Sequence, residues 1–205
     1  MLVDKSVRDF LRELASRAPV PGGGSVAALS AGLASALTEM VANLTVGRKG
    51  FEEVEGEMRQ ITQKASEYRE EFLKDIDKDA EAFKKVMDAF KLPKNTLEEI
   101  DKRKQIIQEE FKNAALVPLE VAKDTVKLME FIAKIVEKGN RNAISDGAVA
   151  VMMARSAILG ALYNVKINLQ SIKDEDFVSR ISKQVHELES KAIEEEKKIL
   201  SKVGL

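Results

Sequence analysis

The 205-residue sequence predicts an all-α fold. Apolar residues recur at helical spacing through almost every segment, and no alternating strand pattern stands out. One helix is apolar or small nearly all round, which demands burial at the centre of a bundle or in a subunit interface. The expectation is a bundle of about six helices with long central helices, a single domain over 1–205 that associates as a dimer. Composition agrees: 44% hydrophobic and 33% charged residues exclude general disorder and fit a soluble helical protein.

The first helix is expected from about Ser6 to Ser16, with Val7, Phe10, Leu11 and Leu14 on one face. Pro19-Val20-Pro21-Gly22-Gly23-Gly24-Ser25 follows: a stiff proline turn, three residues without a β-carbon, and a serine suited to cap a helix. A helix N-terminus offers free N–H donors and partial positive charge, so it can hold a carboxylate or phosphate. Gly22, Gly23, Gly24 and Ser25 are therefore candidate ligand contacts, the alternative being a tight turn feeding a buried helix. No Lys-Ser or Lys-Thr pair follows the glycines, so the motif is not a P-loop.

The second helix, Ser25 to Val46, carries one stripe of Leu29, Leu33, Leu37, Met40 and Leu44. A second stripe of Ala28, Ala31, Gly32, Ser35 and Thr38 is flat enough for close helix approach. The third helix is long. Phe51, Val54, Met58, Ile61, Ala65, Tyr68, Phe72, Ile76, Phe83, Val86 and Phe90 form a heptad-like seam. Asp79 interrupts it. A carboxylate on an apolar seam costs several kcal/mol unless it is paired or neutralised. Asp79 is therefore the leading catalytic candidate, the alternative being a buried Asp that pairs with an Arg or caps another helix. Asp75 lies one turn earlier on nearly the same face, and Asp77 is expected in solvent.

Leu92-Pro93 ends the third helix. The fourth opens at Thr96-Leu97-Glu98-Glu99, a capping box, and runs to Val136 with a kink expected at Pro118. A polar turn, Gly139-Asn140-Arg141-Asn142, leads to Ser145-Asp146 at the start of a fifth helix ending near Leu169. Its amide, hydroxyl and carboxylate groups make Asn140, Asn142, Ser145 and Asp146 candidates, although Asn favours turns and Ser and Asp favour caps in any helix start. Asn164 and Asn168 share a helix face. They can hydrogen-bond a flat heterocycle or serve as interhelical links. A sixth, amphipathic helix runs from Asp174 to the C-terminus.

The composition also narrows the chemistry. A net charge of −1 gives no global basic field for nucleic acid. There are no cysteines, and the only histidine is His186, expected near the surface, which excludes disulfides, thiolate chemistry and a His-rich zinc site within one chain. Asp4, Lys5, Arg8 and Asp9 interrupt any secretory segment, and no membrane span is expected, so the expected compartment is the cytoplasm.

Together the glycine motif at 19–25, Leu44-Thr45-Val46-Gly47, Asp79-Ala80 with Phe83 and Val86, Gly139-Asn140-Arg141-Asn142 with Ser145-Asp146, and Asn164-Val165-Lys166-Ile167-Asn168 resemble the cyclodeaminase–cyclohydrolase family of folate enzymes. The family includes the cyclodeaminase half of formiminotransferase-cyclodeaminase and stand-alone bacterial proteins, some named methenyltetrahydrofolate cyclohydrolases or serine cycle enzymes. The resemblance implies an all-helical homodimer or higher oligomer with folate bound near the subunit interface. It also implies a lyase giving methenyltetrahydrofolate and ammonia from formiminotetrahydrofolate, or alternatively a hydrolase acting on methenyltetrahydrofolate. A non-catalytic folate-binding oligomer is the remaining reading. The implied roles are Asp79 and Asp146 as carboxylates at the reacting carbon, with the asparagines orienting the pterin. A tetrahydrofolate derivative is the substrate, and neither a metal nor a prosthetic group is expected.

Overall fold

Local signals set most helix boundaries in the computed structural model, which describes residues 1–204. Six helices form: α1 (Val7–Leu14), α2 (Gly23–Asn43), α3 (Glu55–Phe90), α4 (Leu97–Lys138), α5 (Ile144–Leu169) and α6 (Glu175–Leu200). No strand occurs among the described residues. Ser6 caps α1 by accepting the Asp9 N–H, the Thr96–Glu99 capping box opens α4, and Asp174 caps α6 through the Phe177 N–H. Two starts differ from expectation. Gly22, not Ser25, is the N-cap of α2, so Ser25 lies inside the first turn. The α5 helix opens at Ile144, which likewise puts Ser145 and Asp146 within its first turn.

Small residues let α2 sit at the centre. Ala28, Ala31, Ala34 and Ala42 are fully buried, and α2 packs chiefly against α3 and α5. The buried Ser35 hydroxyl donates to the Ala65 carbonyl of α3 at 2.6 Å, so its burial leaves no donor unmet. Gly160 of α5 lies against Ala27 and Asn164 against Gly23, so α2 and α5 run antiparallel. At the far end the Asn140 N–H donates to Thr45 Oγ1 at 2.9 Å, and Asn140 Nδ2 donates to the Leu44 carbonyl at 3.1 Å. The α4 helix packs on α3 and α5, and α6 covers α4 and α5.

No membrane span is expected from the sequence, yet α2 and the segment Arg141–Leu169 are each long and apolar enough to cross a membrane. About half of each lies inside the bundle: 56% of the apolar stretch of α2 and 50% of the other are buried. The remainder forms an outward apolar face. Leu33, Met40 and Leu44 of α2 are exposed, as are Val149, Met152, Tyr163 and Ile167 of α5.

The α4 helix continues through Pro118. Proline has no N–H, so the carbonyl four residues back, that of Ala114, loses its helical partner. Asn168 Nδ2 of α5 donates to that carbonyl at 3.1 Å. A proline in one helix thereby anchors an amide of another.

The Asn140–Thr45 hydrogen bond ties the 139–146 turn to the end of α2. Thr45→Val keeps the shape but leaves the buried Asn140 N–H without an acceptor. The expected cost is about 1–3 kcal/mol of unfolding free energy, read as a lower urea midpoint at unchanged slope.

Candidate active site

Sequence dictates a sharp approach where α2 begins on α3. A β-carbon at Gly24 would fall inside the Asp79 carboxylate, and one at Gly23 would lie 3.2 Å from Asn164 Nδ2. None of Gly22, Gly23 and Gly24 has positive φ. The glycines thus serve proximity and not conformational freedom. Their missing side chains let the α3 carboxylate and the α5 amide close on one helix end.

Those groups line a half-enclosed cavity of about 470 Å³, a size suited to a small heterocycle. Its polar rim includes Gly22, Gly23, Gly24, Asp79, Asn164 and Asn168, with Gln170 and Ser171 at its edge, and its apolar walls include Phe83, Val86, Met87, Phe90, Phe111 and Ile167. Asp79 is the one carboxyl on the wall, and no basic residue shares it among the described residues. Asn164 Nδ2 donates to the Gly160 carbonyl at 2.8 Å. Asn168 Nδ2 donates to the carbonyls of Asn164 and Ala114. An amide nitrogen has two hydrogens, so Asn168 keeps only its oxygen for a further partner, and Asn164 keeps its oxygen and one N–H.

Asp79 reaches its place from the apolar seam of α3. The Ser25 hydroxyl lies 3.2 Å from Asp79 Oδ2. Burial pushes the carboxyl above its ordinary range. The Ser25 hydroxyl and backbone N–H, which favour the charged form, offset part of that rise. Asp79 thus has the helix-capping contact anticipated as its structural alternative, together with an open side toward the cavity.

Ser25 itself is fully buried and does not line the cavity, so the ligand contact expected of it is not available. Asn140, Asn142, Ser145 and Asp146 are not in this cavity either. They sit at the opposite end of α5, roughly 27 Å from Asn164 at 1.5 Å rise per residue. Asn140 is 5% exposed and its side chain is spent locally: its Nδ2 bonds the Leu44 carbonyl and its Oδ1 accepts the Asn142 N–H. Ser145 and Asn142 are exposed and Asp146 is half-buried. Within one chain, Asp79 and Asp146 therefore cannot serve one reacting carbon.

Other charges are accounted for. Asp75 is buried and pairs with Lys78 at 2.7 Å, not with Asp79. Asp77 is not free in solvent, for it accepts the Leu2 N–H at 2.7 Å. Arg155 and Lys166 pair with Glu196 and Glu189 of α6. The aromatic walls are what sequence reasoning missed. Phe83 and Phe90 fit the seam as core residues, yet both are substantially exposed on the cavity side. Their place after Asp79 along the seam is the one hint, and the residue types themselves do not distinguish a wall from a core position.

An all-helical bundle that holds one buried-edge carboxyl over an aromatic cavity is the frame of a small-molecule enzyme. The family model for formiminotransferase-cyclodeaminase matches residues 6–187, and the chain belongs to that family. It is 40% identical over 195 residues to the methenyltetrahydrofolate cyclohydrolase of Methylorubrum extorquens, covering 94% of this chain and 92% of that one. It is 36% identical over 187 residues to mouse formimidoyltransferase-cyclodeaminase, of whose length the match spans 35%. The formiminotetrahydrofolate cyclodeaminase structure from Thermotoga maritima superimposes with a TM-score of 0.89 at 33% identity, covering 99% of this chain and 98% of that one.

The raised Asp79 carboxyl has a stability signature. Its folded state binds the proton more tightly than the unfolded chain, whose value is near 3.8. Its contribution to stability is therefore greatest at acid pH and declines as pH rises from the unfolded pKa through the folded one. Asp79→Asn removes that decline. The expected result is a mutant whose urea-derived stability relative to wild type improves with rising pH across that window and then levels off.

Proposed function

We propose that this chain is a formiminotetrahydrofolate cyclodeaminase, closing its substrate to methenyltetrahydrofolate with release of ammonia. The carrying observation is a single carboxyl, pushed above its ordinary pKa by burial, on the wall of an otherwise uncharged aromatic cavity. In the reaction one folate nitrogen attacks the carbon of the protonated formimino group, an amidinium, borne by the other. Asp79 takes the proton from the attacking nitrogen and returns one to the departing amine. Its carboxylate form then faces the cationic methenyl product. Phe83 and Phe90 flank the flat pterin, the oxygens of Asn164 and Asn168 accept from its ring donors, and the N–H groups of Gly23 and Gly24 meet its acceptors. No prosthetic group enters.

Methenyltetrahydrofolate cyclohydrolase is the second reading, favoured by the 40% identity to the Methylorubrum protein over nearly its whole length. There Asp79 acts as general base toward water. Supplying formimino- and methenyltetrahydrofolate separately, with methenyl absorbance and released ammonia followed together, decides between them. In either case Asp79→Asn should lower turnover by ~10²–10⁴-fold. An Asp79→Asn protein with wild-type turnover overturns the assignment.

The working unit in this reading is a homodimer. The exposed apolar residues of α5 recur along one stripe, Val149, Met152, Tyr163 and Ile167, and the last of these also lines the cavity. An isologous contact that pairs this stripe with itself, antiparallel about Ser156, sets the partner's Asp146 beside the residue 164–168 end of α5. That arrangement gives the cavity its second carboxylate and uses the outward apolar face. The near-neutral chain and the half-burial of its two apolar helices support a cytoplasmic enzyme without nucleic-acid or membrane partners. Light scattering should give a dimer at micromolar concentration. Mixing inactive Asp79→Asn and Asp146→Asn proteins should regenerate activity, because a mixed dimer holds one intact site. Two variants that stay inactive when mixed and exchanged count against the shared site.

A further inference from the structure

Ser25 does not touch the cavity, yet it is the residue that holds the cavity's acid. Its Oγ lies 3.2 Å from Asp79 Oδ2 and 3.0 Å from the Ile76 carbonyl, and its side chain is fully buried. A serine hydroxyl carries one proton, and both neighbours can accept it. When Asp79 is ionised, the stronger acceptor is the carboxylate, and the Ser25 hydroxyl serves it. When Asp79 is neutral, the hydroxyl turns to Ile76. That carbonyl lies inside α3, so its helical bond satisfies it in either case. The exchange takes one hydroxyl rotation and moves no heavy atom.

We infer that Ser25 is a positioning residue. Its hydroxyl fixes Asp79 Oδ2 against the first turn of α2 and stabilises the ionised carboxylate, so that a buried acid can release its proton to the substrate as well as hold it. Burial alone pushes the carboxyl toward its neutral form, and the Ser25 hydroxyl acts in the opposite direction. The absence of a β-carbon at Gly24 admits the carboxylate, and the Ser25 hydroxyl on the next residue meets it. This role rests on the acid–base assignment of Asp79 made above.

Within one chain, and among the described residues, no basic group reaches Asp79. On α3, Lys78 is occupied by Asp75 and Glu71. On α5, Lys166 pairs with Glu189, and on α4, Lys112 pairs with Asp174. The α2 helix carries one charged residue, Glu39, roughly 21 Å along the helix from Ser25.

The test is Ser25→Ala, which removes the donor and adds no bulk. Carbon-13 labelling of aspartate carboxyls, with the Asp79 resonance identified by its loss in Asp79→Asn, follows the titration without any turnover. The Asp79 resonance should titrate at higher pH in Ser25→Ala than in wild type. The Asp79-dependent limb of the pH–rate profile should move the same way. Turnover at neutral pH should fall roughly ten- to a hundredfold, the worth of one hydrogen bond to a charged group, with KM near wild type. Ser25→Cys fills the space with a weak donor and should fall between. Unchanged titration and turnover in Ser25→Ala, or wild-type behaviour in Ser25→Cys, overturns the inference. If Asp79→Asn stays active, the acid–base reading of Asp79 falls, while the carboxyl titration still reports whether Ser25 governs that group.

Discussion

The first turn of α2 and the carboxylate of Asp79 occupy a space that admits no β-carbon between them. Much else in the molecule is arranged around that approach. It requires glycine at position 24, a small neighbour at position 23, and a hydroxyl one residue later to meet the carboxylate. It draws α3 onto α2 at the point where the apolar seam of α3 breaks. Beyond the break Val86 stays buried, and Phe83 and Phe90, the latter edge-on to Phe111 of α4, are partly exposed and wall a cavity. Desolvation and the helix start act on the same carboxyl in opposite directions, and desolvation is the larger. The result is an acid that is neither an ordinary surface carboxylate nor a sealed one.

The bundle built around this point is economical in side-chain volume. Alanine, glycine and serine on α2 bring α3 and α5 close, and the hydroxyls that such helices carry are absorbed by backbone carbonyls. Ser35 bonds Ala65, and Thr38 bonds Ala34. The cost is an exterior that remains apolar along α2 and α5, where Leu33, Met152 and Tyr163 are left exposed. The homodimer proposed above would bury it with a second surface of the same kind.

Most of the fold was legible in the sequence because helical period and caps are local. The Thr96–Glu99 box, the Asp174 cap and the break at Leu92-Pro93 each act over a few residues. The start of α2 was misplaced by the same logic. Ser25 has the chemistry of a cap, but its hydroxyl is claimed by Asp79, 54 residues away. Half of the candidate site was legible too, since Asp79, the glycines, Asn164 and Asn168 do converge. The separation of Asp146 from Asp79 was not, because no local pattern says at which end of a helix two distant motifs will meet. The aromatic walls were hidden for a related reason. A seam position looks the same in sequence whether or not a neighbouring helix reaches it.

Pro118 has a consequence that reaches beyond its own helix. Its defect creates a vacant acceptor at Ala114, and an asparagine on α5 occupies it. The amide is therefore oriented when the chain folds, before any ligand arrives, and the entropy of ordering it is not charged to binding. In the proposed site, a residue that lines no part of the cavity thus preorganises one that does. Restoring a backbone N–H at position 118 would return the Ala114 carbonyl to its own helix and leave the Asn168 amide without that partner.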